Sequence, residues 1–256
     1  MVDEEHKSER STGSGMGFLQ HLEELRRRLL KAVITVVVMS AIAFYFSDQL
    51  IKLIKIPFGD DIELYNIAVT GAFYAYLKVS IITGILVSLP VIFFQMWAFV
   101  APGLYRREKT AILPLVFIST VLFAAGAVFC YLIVLPLAFD FLIGFSEGLV
   151  VNTITIGSYI SFVGLLLVAF GFGFQLPVLA YFLGKMGFIT SALLCKGRRF
   201  AIVGILIAGA IITPPDVFTQ FLLAVPLYIL YEVSIIVVRL TGRREKTEEV
   251  TETSTD

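Results

Sequence analysis

Two carboxylates, each within a helical turn of several arginines, are the groups in this chain best suited to recognition chemistry. Glu24 precedes Arg26, Arg27 and Arg28, and Glu108 follows Arg106 and Arg107. A carboxylate accepts two parallel hydrogen bonds from a guanidinium, the most strongly oriented of side-chain pairs. Two such acids are therefore suited to receive two adjacent arginines from another chain. A plainer reading stands beside this one. Glu24 and Arg28 are four apart, a helical pair worth about 0.2–0.5 kcal/mol. Glu108 equally fits a pairing with Arg26, or a helix start, where the dipole favours negative charge. Charge spacing leaves both readings open.

The remaining polar candidates lie in apolar surroundings, where burial makes an ionisable group costly and hence a functional candidate. Gln175 falls two-thirds along an apolar run in Phe-Gln-Leu-Pro. Glu232 lies near the end of the last run. Asp216 and Gln220 mark the start of that run, four apart and so on one helical face. Enzyme signatures are absent: there is no phosphate-binding loop, no His-Glu-x-x-His pair and no Gly-x-Ser-x-Gly elbow. The only histidines are His6 and His21. No metal, no cofactor and no catalytic set is expected.

The elements that must position these groups are set by composition. The 256 residues are 58% hydrophobic and 16% charged, against about 45–50% and 25% in soluble domains. The excess must face lipid. Apolar runs cover Leu29–Phe46, Ala72–Val100, Ala111–Leu135, Tyr159–Leu183, Phe200–Ile212 and Val217–Val238. A crossing needs about 20 predominantly apolar residues, and a backbone in lipid must be helical to satisfy its own hydrogen bonds. The fifth run is short: thirteen residues, or about 20 Å of helix, against a hydrocarbon core of about 30 Å. Local bilayer thinning or shielding by a partner is expected there.

Charge sets the orientation. Of 20 Lys and Arg, 17 fall at or before the start of the first run, between runs two and three, between four and five, or after six. Only Lys52, Lys55 and Lys78 fall on the other side. The positive-inside rule then makes both termini cytoplasmic, as an even number of crossings requires. The N-terminus lacks the apolar core of a cleavable signal peptide. Cys130 and Cys195 are expected at different depths, unpaired. Three regions follow: a flexible tail over 1–16, a membrane domain over 17–240, and a disordered cytoplasmic tail over 241–256. In the first long outer gap, Leu50 to Ile56 alternate with Lys52 and Lys55 and stop at Pro57, a pattern suiting a short interfacial helix or a loop packed on the protein. Pro90, Pro114, Pro136, Pro177 and Pro226 each remove a backbone donor and favour kinks. The expected fold is an all-α integral membrane protein with six transmembrane helices, kinked and curved around a concave face.

Longer strings are more specific. His21-Leu-Glu-Glu-Leu-Arg-Arg-Arg-Leu, Phe94-Gln-Met-Trp-Ala-Phe-Val-Ala-Pro-Gly-Leu-Tyr-Arg-Arg-Glu108 and Ile212-Thr-Pro-Pro-Asp-Val-Phe-Thr-Gln220 occur in order. Together, from about Gly17 to Arg239, they resemble the TatC family, the polytopic subunit of the twin-arginine protein translocase. The resemblance implies a receptor for signal peptides of folded cargo, in the cytoplasmic membrane and driven by the proton motive force. It implies Glu24 and Glu108 as the twin-arginine site, supported by Arg26, Phe99 and Pro102. Pro57 and Lys78 match family positions in the first outer loop and early in helix two. Helices five and six are implied to dock single-span TatA/TatB-type subunits, with Thr213, Asp216 and Gln220 as their polar positions. The complex would hold several copies and involve no nucleic acid. Gln175 departs from the glutamate common in the family, and Ala210 replaces a methionine sometimes found there. Glutamine bonds but does not ionise. The competing function, from residue physics alone, is a secondary transporter of a small solute, although no repeat between halves supports it.

Overall fold

The structure is a computed structural model that describes the backbone of residues 5–56, 64–100, 112–144, 154–213 and 216–241, with side chains from Gln20 onward. Pro57, Pro102 and Glu108 lie outside the described residues, as does the tail beyond 241.

Each long apolar run becomes helix. The elements are α1 (Glu5–Tyr45), α2 (Ser47–Lys55), α3 (Gly71–Val100), α4 (Ile112–Phe129), a π-helical turn (Cys130–Val134), α5 (Leu135–Gly144), α6 (Ile156–Gly173), α7 (Leu176–Lys185), α8 (Ser191–Ile212) and α9 (Val217–Thr241). The helix α1 begins at Glu5 and so takes in most of the stretch whose composition predicts a flexible tail. Once the apolar part nucleates a helix, each further residue adds a hydrogen bond. The all-helical expectation needs one addition. β1 (Leu64–Tyr65) and β2 (Ile154–Thr155) form a short parallel pair, Leu64 opposite Ile154 and Tyr65 opposite Thr155, which ties the two long gaps together.

Among the described residues, five segments are long and apolar enough to cross a membrane: Gln20–Tyr45, Gly71–Val100, Leu113–Gly144, Ile156–Lys185 and Val217–Thr241. The chain is thus a multi-pass membrane protein. The sixth expected crossing, α8, has 22 residues, about 33 Å of helix, because it continues upstream of Phe200. That extension carries Lys196, Arg198 and Arg199, so α8 is long but only its second half is apolar.

The prolines act unequally. Pro90 and Pro226 lie inside continuous helices. Pro114 sits in the first turn of α4, where a missing donor has no helical partner to lose. At Pro136 the ladder changes instead: Leu135 donates to Cys130 one residue further back than in an α-helix, forming the π turn. At Pro177 the helix stops and restarts, with Phe174 and Gln175 between α6 and α7. Only these two prolines coincide with altered helical geometry.

Two buried clusters hold the helices together. The larger joins α3, the π turn, α5, α6 and α9 around Val79, Val134, Leu135, Ile160, Val163, Phe170 and Leu223. The smaller joins α3, α4 and α7 through Phe93, Trp97, Phe123 and Phe182. The short helix α2 packs Leu50, Ile51 and Ile54 on the larger cluster. Its Leu53 and Ile54 carbonyls accept from the Tyr131 and Tyr159 hydroxyls. Helix and packing on the protein are therefore both realised.

The helix α1 packs chiefly on α3, at a crossing of small residues. A Cβ on Gly84 would lie 2.1 Å from Ser40 Oγ and 2.6 Å from the Ser40 backbone. On α3, Ser80, Gly84 and Ser88 recur every fourth residue and so share one face. Such faces let membrane helices approach closely, where packing rather than water exclusion drives association.

Candidate functional site

Close packing of α1 on α3 brings two of the sequence motifs into contact. The His21 ring of α1 stacks on Phe99, one residue from the end of α3, with centroids 4.4 Å apart and planes 19° from parallel. Glu24 lies one helical turn beyond His21. It accepts from Arg28 Nε at 2.9 Å and from Arg28 Nη2 at 2.6 Å, both on Oε1. Among the described residues nothing occupies Oε2. The pair is half enclosed, Glu24 side chain 35% exposed and Arg28 25%, whereas the neighbouring Glu23–Arg27 pair is 60% and 69% exposed. Glu23, Glu24, Arg27, Arg28, Gln20 and Lys31 share one open, charged face of α1. The intrahelical pairing allowed by the spacing is thus realised. It is a surface pair, which solvent and salt screen. Arg26 lies on the same helix two residues from Glu24.

The intramembrane candidates all have partners. Gln175, 5% exposed, sits at the α6–α7 break and donates from Nε2 to the Ser119 carbonyl of α4 at 3.0 Å. The Ser119 hydroxyl accepts from Trp97 Nε1 of α3, also at 3.0 Å. Lys78 Nζ donates to Ser161 Oγ at 2.8 Å and links α3 to α6. Asp216 caps α9, accepting from the Thr219 amide at 2.7 Å and from the Thr219 hydroxyl. Gln220 donates to the Leu206 carbonyl of α8 at 3.0 Å. Thr213, buried at the end of α8, donates to the Gly209 carbonyl. Glu232 accepts from Arg198 at 2.8 Å and from the Tyr228 hydroxyl at 2.9 Å, closing the other end of the α8–α9 hairpin.

Residue spacing alone did not single out Trp97, Ser119 or the His21–Phe99 contact. The available signal was that Trp97 is the only tryptophan in the chain and lies two residues before Phe99. A substitution checks what Gln175 does. Gln175→Leu removes one donor and is expected to lower stability by about 0.5–1.5 kcal/mol. Gln175→Glu sets a carboxylate oxygen against the Ser119 carbonyl and is expected to lower the thermal midpoint further than Gln175→Leu. Thermal unfolding of the detergent-purified variants reads both, and the reverse order would show that the Ser119 contact contributes little.

Comparison with known proteins decides the family. Residues 20–226 match the family described as "Sec-independent protein translocase protein (TatC)". The chain belongs to the TatC family. It is 40% identical to the Sec-independent protein translocase protein TatC of Desulforapulum autotrophicum, over 91% of this chain and 87% of that one. With the TatC of Aquifex aeolicus it shares 42% identity, over 90% of this chain and 98% of the other. A solved structure described as "Crystal Structure of Twin Arginine Translocase Receptor- TatC" superposes with a TM-score of 0.80 at 42% identity, covering 87% of this chain and all of that one. The TatC motifs read from the sequence thus fall within a match extending over most of the chain.

Proposed function

We propose that this chain is the signal-peptide receptor and core scaffold of a twin-arginine translocase, exporting folded proteins across the cytoplasmic membrane with the proton motive force. In this reading six helices cross the membrane, α8 doing so with an apolar stretch confined to its second half, and both termini are cytoplasmic. The helices curve around a concave face beside which the apolar part of the signal peptide lies. Glu24 and Glu108 each receive one of the two arginines, with Arg26, Phe99 and Pro102 in support. Single-span TatA/TatB-type subunits dock near Thr213, Asp216 and Gln220, in a complex of several copies. The role is binding and organisation, without catalysis.

The observation that carries this reading is the state of Glu24. It is partly exposed on an open face of α1 and is held by an exchangeable partner that uses one of its two oxygens. A carboxylate so placed can take a guanidinium in a bidentate pair. The test is site-specific photocrosslinking in membranes. Probes at positions 24 and 108 are expected to capture a signal peptide bearing paired arginines, and a probe at 220 to capture a partner helix. Equal capture of a peptide with both arginines replaced by alanine would overturn the assignment.

A further inference from the structure

The end of α3 is held from two sides. Phe99 faces α1 through the His21 stack. Trp97, two residues earlier and so turned by roughly 200° about the helix axis, faces α4 and α7. Its ring packs on Phe182 of α7, with centroids 4.8 Å apart, and its indole donates to Ser119 Oγ at 3.0 Å. Trp97 is 4% exposed and Ser119 is fully buried. The carbonyl of Ser119 receives Gln175 from the α6–α7 break. One serine therefore joins α3, α4 and that break.

We infer that Trp97 and Ser119 are positioning residues for the receptor site, fixing the register of the α3 end on which Phe99 seats His21 and hence Glu24. This rests on the reading of Glu24 as the arginine-binding carboxylate. The physical reason is directional. An indole has a single N–H and accepts nothing, so a buried partner sets both its height and its rotation. Apolar packing of the ring on Phe182 sets neither as sharply. Rotating or sliding the end of α3 moves Phe99 with it, and the stacked His21 carries the start of α1. A bidentate guanidinium contact depends on carboxylate placement more steeply than a contact to the point charge of lysine. Loss of register is therefore read as loss of discrimination as well as of affinity.

The experiment titrates labelled signal peptides, one with paired arginines and one with paired lysines, against the full chain in nanodiscs. Trp97→Phe, Ser119→Ala, the double variant and Glu24→Ala are compared with the parent, with affinity normalised to folded protein by thermal unfolding. Each single node variant is expected to weaken the arginine peptide roughly tenfold and to shrink its advantage over the lysine peptide. The double variant is expected to match either single one, because both remove the same bond. Lowered thermal midpoints with unchanged affinity and unchanged discrimination would reduce the node to a purely structural contact and overturn the inference. So would full additivity of the two substitutions. If Glu24→Ala itself binds like the parent, the receptor reading falls and this inference falls with it. If Glu24→Ala loses binding while the node variants keep it, only this inference falls.

Discussion

Glu24→Ala is expected to weaken capture of a twin-arginine signal peptide by roughly 10- to 100-fold, as the loss of hydrogen bonds to a charged group does. Glu24→Gln keeps the shape but not the charge and should lose most of the same affinity. Arg28→Ala is expected to act in the opposite direction. Arg28 holds Glu24 in the free chain, and this pair must open before an incoming guanidinium can take both oxygens. Removing the competitor spares the exchange of a weak surface pair, so binding should tighten by up to about twofold. The opposed signs matter more than either size. General damage to the end of α1 would weaken binding in both variants. Added salt should weaken binding to the parent, since Glu24 is partly exposed and charges in solvent are screened over about 8–10 Å. Fluorescence anisotropy with a labelled peptide reads all three effects. Parent-like affinity in Glu24→Ala would remove this carboxylate from the site.

Gly84→Val is expected to separate α1 from α3 and abolish peptide capture with Glu24 itself unchanged. Any Cβ at position 84 meets Ser40 Oγ at 2.1 Å, and also Ser40 N and Cα at 2.6 Å. A rotamer change relieves the first clash but not the second, because backbone moves only with its helix. Overpacking of this kind costs about 1–3 kcal/mol even where the surroundings yield. Here α1 has few other contacts to resist displacement, its span being only 6% buried. Ser40→Gly added to Gly84→Ala should restore part of the loss, since it removes the hydroxyl clash and leaves the backbone one. Cysteine crosslinking between positions 21 and 99, together with peptide binding, measures the outcome. Retained crosslinking and binding in Gly84→Val would show that α1 is not held by this crossing.

The two predictions separate what was legible in the chain from what was not. The apolar runs were legible because a bilayer imposes helix and length on any segment that enters it. The described residues of all six runs are helical but for the break at Phe174 and Gln175 and the turn at Phe46, and α2 is found where Leu50 to Ile56 alternate with lysines. The extent of α8 was not legible in the same way. Its upstream half is polar, and only the backbone shows the helix continuing through Lys196 to Arg199. The prolines were visible, but their individual effects were not. Pro136 and Pro177 accompany a π turn and a break, whereas Pro90 and Pro226 are absorbed. Whether a lost donor is tolerated depends on neighbouring helices, which lie far away in sequence.

The site divides in the same manner. Motif order carried the family, because motifs are properties of residue type and spacing along the chain. It was the resemblance that pointed to Phe99 and to Glu24, whose charge context alone left the choice open. The sequence by itself therefore determined a multi-pass helical membrane protein of the TatC family. Tertiary structure decided which side chains meet: His21 on Phe99, Trp97 and Gln175 on the single residue Ser119, and Gln220 on the α8 backbone. Each contact joins different helices, so it depends on crossings such as Ser40 against Gly84, where a distance between backbones rather than a periodicity sets the geometry.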